Sequence, residues 1–513
     1  MTTAAAPDAA ERGALGRGDA ALCALLGLGA IVYVALVPGE LGRTDEAMYL
    51  YVSKRIAEGA APYRDLFEII TPGFMWLMAA AFRVFGATMA TANGATAVMH
   101  GLIAGLTYLA ARLVGVRPAI ATAAALAHPA LFQPAWPYSS PHWLSTVLQL
   151  VVLVVLLRGS GRFACTVAGM ATGAMIAVQQ QRGVVCALGI VAIFLLAAPA
   201  RGPRGVALGR FLVGMALVIV PAAAVVVLQA GFRAPFEALV VHPLVNYRGG
   251  GRMNRTSWGG VNVLSHRIAA YTAPRLLTWL PLAVAVPALQ AAWGLGRGLP
   301  REPCHRSIVL AVLGATAVIS IFYLPDFIHL AIVAPVVAVA AADAVELAVG
   351  ALGGRGAGLV VSGLLLALLG RQLAMNAERR RTEFPVVHAT AFGRVRFRSA
   401  QQAAFVDEVR DRLRRAGSDG LFCYPGYPAM YLLAGATNPT RFQLLGPGYN
   451  SPDEIAEALG ALERTRLPYV VVVPLFVTEG DPVAAWLRQS YERVELPELE
   501  GAVGAVLLAR RVE

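Results

Sequence analysis

Apolar stretches separated by short arginine-bearing connectors fill the first three quarters of the chain. They lie at about 20–38, 91–111, 118–133, 142–157, 163–178, 183–199, 211–230, 276–295, 307–324, 328–349 and 357–372. Roughly 20 apolar residues in a helix cover the hydrocarbon core of a bilayer, so the pattern predicts eleven membrane-crossing helices. A twelfth stretch, Pro72 to Gly86, has only 15 residues and is predicted to lie in the membrane interface rather than to cross. That assignment sets the direction of every later helix, and the arginines test it. With 72–86 not crossing, Arg12, Arg17, Arg112, Arg117, Arg158, Arg162, Arg201, Arg204, Arg210, Arg297, Arg301, Arg306 and Arg355 all fall on one side. Short basic loops stay in the cytoplasm, so the N-terminus is expected there and the long segments 39–90 and 231–274 outside.

Beyond Arg379 the pattern changes. Short apolar runs, LFCY at 421–424, YVVVV at 469–473 and AVLLA at 505–509, alternate with helix-like stretches at 400–416 and 452–465. Ser451-Pro452-Asp453-Glu454 is a helix start, with a capping serine and proline at the first helical position. Strands alternating with helices predict a small α/β domain over 379–513, on the outer face, after a transmembrane domain over 1–378.

Composition agrees with the membrane reading. The 513 residues are 57% hydrophobic and 14% charged, with mean hydropathy +0.61; an ordinary soluble domain carries roughly 25% charged residues. The net charge of +12 sits mostly on arginines between apolar runs. It therefore reads as a topology signal and as contact with anionic membrane lipids, not as a nucleic-acid surface. The five cysteines show no paired spacing, which argues against a disulfide framework or a zinc site.

Polar and ionisable residues collect at span ends on the outer face: Asp45, Glu46, Arg64, Asp65, Glu68, Pro137 to His142, Gln179 to Arg182, Asp326 and His329, with His242 to Arg267 in the second long segment. Such groups are costly near a bilayer and commonly mark a substrate site. A carboxylate there can accept a proton from an attacking hydroxyl. Arginines can hold a phosphate as bidentate partners and stabilise it as it departs. One base with cationic clamps suits transfer of a sugar from a lipid phosphate.

The residues that carry this chemistry also carry a resemblance. Asp45-Glu46 after the first span, then PYRDLFEIITPG, a short apolar helix ending in FG, and a late D-x-x-H at Asp326 and His329 resemble the polyprenyl-phosphate-sugar-dependent glycosyltransferases of the integral-membrane GT-C superfamily. The similarity is to the branch of protein O-mannosyltransferases, aminoarabinose transferases and rhizobial galacturonosyltransferases; YPAMYLLAGATNPTRF adds a weaker match. The resemblance implies a GT-C-like helical bundle with juxtamembrane helices in the first outer loop. It also implies a functional acid just after the first span, the place of Asp45, acting as base with Glu46 beside it. Substrate contacts are expected from Arg43, Tyr63, Arg64, Asp65, Glu68, His142, Gln181, Arg182, Arg252, Arg255, Asp326 and His329.

Asp65 and Glu68, three apart, are read as sharing a helix face, where they bind acceptor hydroxyls or a divalent cation, or pair with Arg64. A neighbouring carboxylate is expected to raise the pKa of one of the Asp45-Glu46 pair; Thr44-Asp45 also reads as a helix cap. The sequence departs from the family after the third span, where His142 is the loop's one ionisable group, and at Leu324, where an arginine is often seen. No metal is assigned. The implied partners are a polyprenyl-phosphate sugar, a glycan, lipid or protein acceptor, and membrane lipids, at the plasma (inner) membrane of a bacterium. Two readings compete: a transporter or flippase for a lipid-linked precursor, and an inactive glycan-binding relative. Transporters tend to show internal repeats and helices broken at mid-membrane, and this chain shows neither.

Overall fold

The computed structural model describes residues 15–37, 41–42, 44–159, 161–196, 204–245, 267–268, 271–272, 279–298, 301–322 and 326–511. All eleven apolar stretches are helical there. They are α1 (Arg17–Leu36), followed after two helices of the first loop, α2 (Asp45–Ala57) and α3 (Gly73–Phe85), by α4 (Met89–Val114), α5 (Pro118–Ala127), α6 (Pro141–Arg158), α7 (Arg162–Val178), α8 (Gln180–Leu196), α9 (Arg204–Ala230), α10 (Ala285–Gly296), α11 (Arg301–Ile319), α12 (Phe327–Ala351) and α13 (Arg355–Glu383). α5 continues through a π turn over His128–Phe132, and a 3-10 turn over Leu280–Val284 leads into α10. Six of these helices, α1, α4, α6, α9, α12 and α13, are long and apolar enough to cross a membrane unaided.

The helices start where short polar side chains satisfy the first free N–H groups. Thr88 accepts from the Thr91 N–H at α4, Ser140 from His142 at α6, and Asp326 from His329 at α12. The bundle closes through small residues. A Cβ on Gly169 or Gly214 would stand 2.1 Å from the Phe211 carbonyl oxygen or 2.2 Å from that of Thr166, so α7 and α9 touch backbone to backbone.

The 13-residue α3 lies along one face of the bundle. At its start, Thr71 donates to the Ile176 carbonyl at the end of α7, while the Gln180 side chain at the start of α8 accepts the Thr71 N–H. At its end, Phe82 packs edge-on against Phe392, whose carbonyl accepts from Met89 N–H at the start of α4. Those helix ends belong to one face, so α3 does not cross.

After α13 come a hairpin of β1 (Val386–Thr390) and β2 (Gly393–Phe397), then α14 (Ala400–Arg415), β3 (Phe422–Tyr424), α15 (Pro428–Ala434), α16 (Pro452–Thr465), β4 (Tyr469–Val472), α17 (Pro482–Ser490), β5 (Tyr491–Arg493), α18 (Pro497–Val503) and β6 (Val506–Arg510). The sheet order is β3-β4-β6-β5, with β3 parallel to β4 and the other pairs antiparallel. β3, β4 and β6 are the three short apolar runs of the sequence; the strands β1, β2 and β5 carry no such signal. α16 opens with the Ser451–Glu454 capping box.

This sheet region sits on the first loop. The Asn438 N–H donates to the Tyr51 hydroxyl (2.9 Å), Arg55 donates to Thr437 (3.3 Å), and the Phe67 N–H donates to the Arg441 carbonyl (2.7 Å). Tyr51 also packs on Tyr431, with ring centroids 4.8 Å apart.

Candidate active site

Asp45 is the first residue of α2 and is open to solvent. Protein still surrounds its carboxyl closely enough that desolvation raises its pKa. His329 and a hydrogen bond with Thr44 oppose the rise, and Asp326 adds to it. The like charge that matters is therefore Asp326, 281 positions away in sequence, and not the adjacent Glu46.

Glu46 points elsewhere. It is buried, and its two carboxylate oxygens accept the N–H groups of Gly42 and Ser139, each at 2.7 Å. Expected from the sequence as a catalytic partner of Asp45, Glu46 ties the start of α2 to the loop before α6.

Glu68 does approach Asp45. The segment from Ala61 to Thr71 is a compact irregular loop, not a helix, so Asp65 and Glu68 share no face. Tyr63 takes a left-handed conformation (φ 68°) at its turn and is anchored by donating its hydroxyl to the Ile70 carbonyl. Glu68 then lies inside, 2% exposed, and its Oε1 has no hydrogen-bond partner among the described residues. Burial, with Asp45 nearby, pushes its pKa up to about 8. Asp65 lies outside, where it pairs with Arg64 (2.8 Å) and accepts the Ala61 N–H; both side chains are exposed. That pair is a surface feature, the pairing with Arg64 that the sequence also allowed.

Facing Asp45 are two histidines from distant spans. His142 in α6 and His329 in α12 meet edge to face, with ring centroids 5.2 Å apart. Gln179 Nε2 lies 2.9 Å from His142 Nδ1, and Asp326 Oδ1 lies 2.8 Å from His329 Nδ1 while also capping α12. Arg182 backs His142 and is buried. Its guanidinium donates to the His142 carbonyl (2.9 Å), Thr146 (3.1 Å) and Gln149 (2.9 Å), so it braces α6. Gln181 is exposed; the neighbours that act are Gln179 and Gln180, the latter donating to the Ile69 carbonyl. The QQQR run was visible in sequence, but which members face inward is set by the break between α7 and α8. Arg43, Arg252 and Arg255 lie outside the described residues. Among the described residues no group of three His, Cys, Asp or Glu side chains could hold a metal.

An apolar cavity of about 250 Å³ is lined by Tyr63, Trp76, Ala223, Val226, Phe236 and Leu239 among others. The turns at Arg233–Phe236 and Glu237–Val241 close one wall of it.

No family model and no curated protein matches the chain. Solved structures do. ArnT from Cupriavidus metallidurans in the apo state superposes with a TM-score of 0.58 at 15% identity, over 96% of this chain and 98% of that one. The same protein bound to undecaprenyl phosphate gives 0.56 at 15% identity over the same shares. The chain shares its fold with ArnT. An oligosaccharyltransferase from Archaeoglobus fulgidus, in the apo form, aligns with 88% of this chain and 69% of that one at 14% identity and a TM-score of 0.49. Within the fold of this chain, the described polar residues that converge are Asp45, Glu68, His142, Gln179, Asp326 and His329, drawn from the first loop and the ends of three spans.

Proposed function

We propose that the protein is a glycosyltransferase that moves a sugar from a polyprenyl-phosphate donor to a hydroxyl of a glycan, lipid or protein. The observation that carries this reading is an accessible carboxylate, Asp45, with no arginine or lysine paired to it among the described residues, close to His329 and Asp326 from a distant span. The similarity of fold to ArnT, which has been solved with undecaprenyl phosphate, supports it.

Asp45 accepts the proton of the acceptor hydroxyl as that oxygen forms a bond to the anomeric carbon. The bond from that carbon to the phosphate oxygen breaks, its electron pair stays on the phosphate, and polyprenyl phosphate leaves. Attack from the side opposite the phosphate inverts the anomeric centre. A raised pKa makes Asp45 the better base. Glu68, higher still, keeps its proton at neutral pH and serves as a hydrogen-bond donor beside it. The apolar cavity receives the first isoprene units while the headgroup meets the acids. In the cell the protein lies in the bacterial inner membrane, with its N-terminus in the cytoplasm and the sheet region outside, as the arginine distribution directs.

The test is transfer of labelled sugar from a panel of polyprenyl-phosphate sugars in nanodiscs. Turnover of one donor supports the reading. Failure of the protein to bind any polyprenyl phosphate removes it, and vesicle uptake or flipping of such lipids without transfer favours a transporter.

A further inference from the structure

Four helices start around the candidate site. α2 begins at Asp45, α6 at Pro141, α8 at Gln180 and α12 at Phe327. The positive ends of their dipoles lie there, a setting that favours an anion. His142 is the second residue of α6 and His329 the third of α12, so both rings sit at those positive ends. Each is oriented through Nδ1, His142 by Gln179 and His329 by Asp326. The Gln179 amide donates to His142 Nδ1, which leaves His142 an Nε2–H to give a ligand, whereas His329 gives its Nδ1–H to Asp326 and donates from Nε2 to a phosphate as the imidazolium.

Two arginines named from the sequence as substrate contacts are engaged by the protein itself. Arg182 is buried against α6, and Arg64 pairs with Asp65 on the surface. Two buried acceptors complete the site. Among the described residues Glu68 Oε1 and Gln179 Oε1 have no hydrogen-bond partner, in residues 2% and 5% exposed. Buried acceptors left unpaired are costly unless a ligand or water brings donors to them.

We propose that His142 and His329 hold the phosphate of the donor, in the place where the sequence suggests an arginine clamp, and that Glu68 and Gln179 receive hydroxyls of its sugar. This rests on the glycosyltransferase reading above. The phosphate lies at the helix starts and the sugar between it and Asp45, which leaves the acceptor to enter from the side of Asp45.

The experiment compares undecaprenyl phosphate with undecaprenol, which lacks the phosphate, in nanodiscs of the full chain. His142→Gln and His329→Gln are each expected to weaken binding of undecaprenyl phosphate about tenfold, the loss of one charge-assisted hydrogen bond, with undecaprenol binding unchanged. His142→Arg is expected to restore phosphate binding. A second measurement needs no variant: undecaprenyl phosphate should protect both histidines of the native protein from diethyl pyrocarbonate, read by peptide mass mapping, and undecaprenol should not. Normal binding of undecaprenyl phosphate with no protection, or equal protection by both lipids, overturns the histidine assignment and leaves the enzyme reading standing. No binding of undecaprenyl phosphate by the native protein overturns both.

Discussion

The two ends of the helical bundle treat their carboxylates differently. At the arginine-rich end, Asp19 accepts from Arg112 (2.6 Å) and from the Tyr108 hydroxyl (2.8 Å), and Glu346 accepts from Arg117 (2.8 Å). These pairs tie α1 to α4 and α5 to α12. At the opposite end, Asp45 and Glu68 are desolvated and pair with no arginine or lysine among the described residues; what surrounds them is Asp326, two histidines and each other. A buried acid with its counter-ion is a structural tie. A desolvated acid without one is held at a cost by the rest of the fold, and such groups cluster where a ligand completes them.

The sharpest test of this contrast is Asp45→Asn. Sugar transfer should fall about 100- to 10,000-fold, the usual contribution of a general base, with undecaprenyl phosphate binding retained. Equal turnover by both proteins would falsify the base assignment and leave Asp45 as a helix-start residue.

The converse change is Arg112→Ala, which leaves Asp19 uncompensated. Removing one partner of a buried pair costs about 3–5 kcal/mol; partial exposure of this one puts the expected loss at or below the lower figure. Thermal unfolding in detergent reads the loss, and transfer per folded molecule should be unchanged. Restoration of the melting temperature by the double variant Asp19→Asn/Arg112→Gln would confirm that charge, rather than packing, is responsible.

Glu46→Ala separates the two acids that are adjacent in sequence. Its removal orphans the N–H groups of Gly42 and Ser139, at about 1–3 kcal/mol each if water does not replace it. Both the melting temperature and the transfer rate should drop. Loss of transfer with no loss of stability would instead return Glu46 to the chemistry.

Glu68→Gln probes a smaller, pH-dependent effect. A carboxyl whose folded-state pKa of about 8 lies above its unfolded value binds more proton when folded. Stability therefore falls as pH rises from the ordinary glutamate range toward 8. The variant should lose this component, so its melting temperature should exceed that of the native protein most clearly near pH 8 to 9; parallel pH profiles would contradict it. At the small end, Arg64→Ala should change neither melting temperature nor transfer, because the pair it breaks is exposed.

Much of the fold was legible in the sequence. The spans follow from local hydropathy, and the surface position of α3 follows from its length and from the arginines on the connectors. Parts of the site were legible too: Asp45, Glu68, His142, Asp326 and His329 converge, and each was named on residue type and place. Glu46, Asp65, Gln181 and Arg182 read equally well in sequence, yet their side chains are taken up by Gly42 and Ser139, by Arg64, by solvent, and by His142, Thr146 and Gln149. Gln179 carries no chemical signature of its own and matters only because His142 lies beside it.

The amino-acid sequence by itself determined the number of apolar helices, the side on which arginines gather and the α/β character of the last part of the chain. These properties depend on stretches of about 20 residues meeting a slab of lipid or pairing locally, so they are written in nearest neighbours. Only the tertiary structure decided which acids keep an open carboxylate. That choice depends on burial and on partners as far off as Asp326 from Asp45 or Ser139 from Glu46. Desolvation and charge act through space, at distances the order of residues does not record.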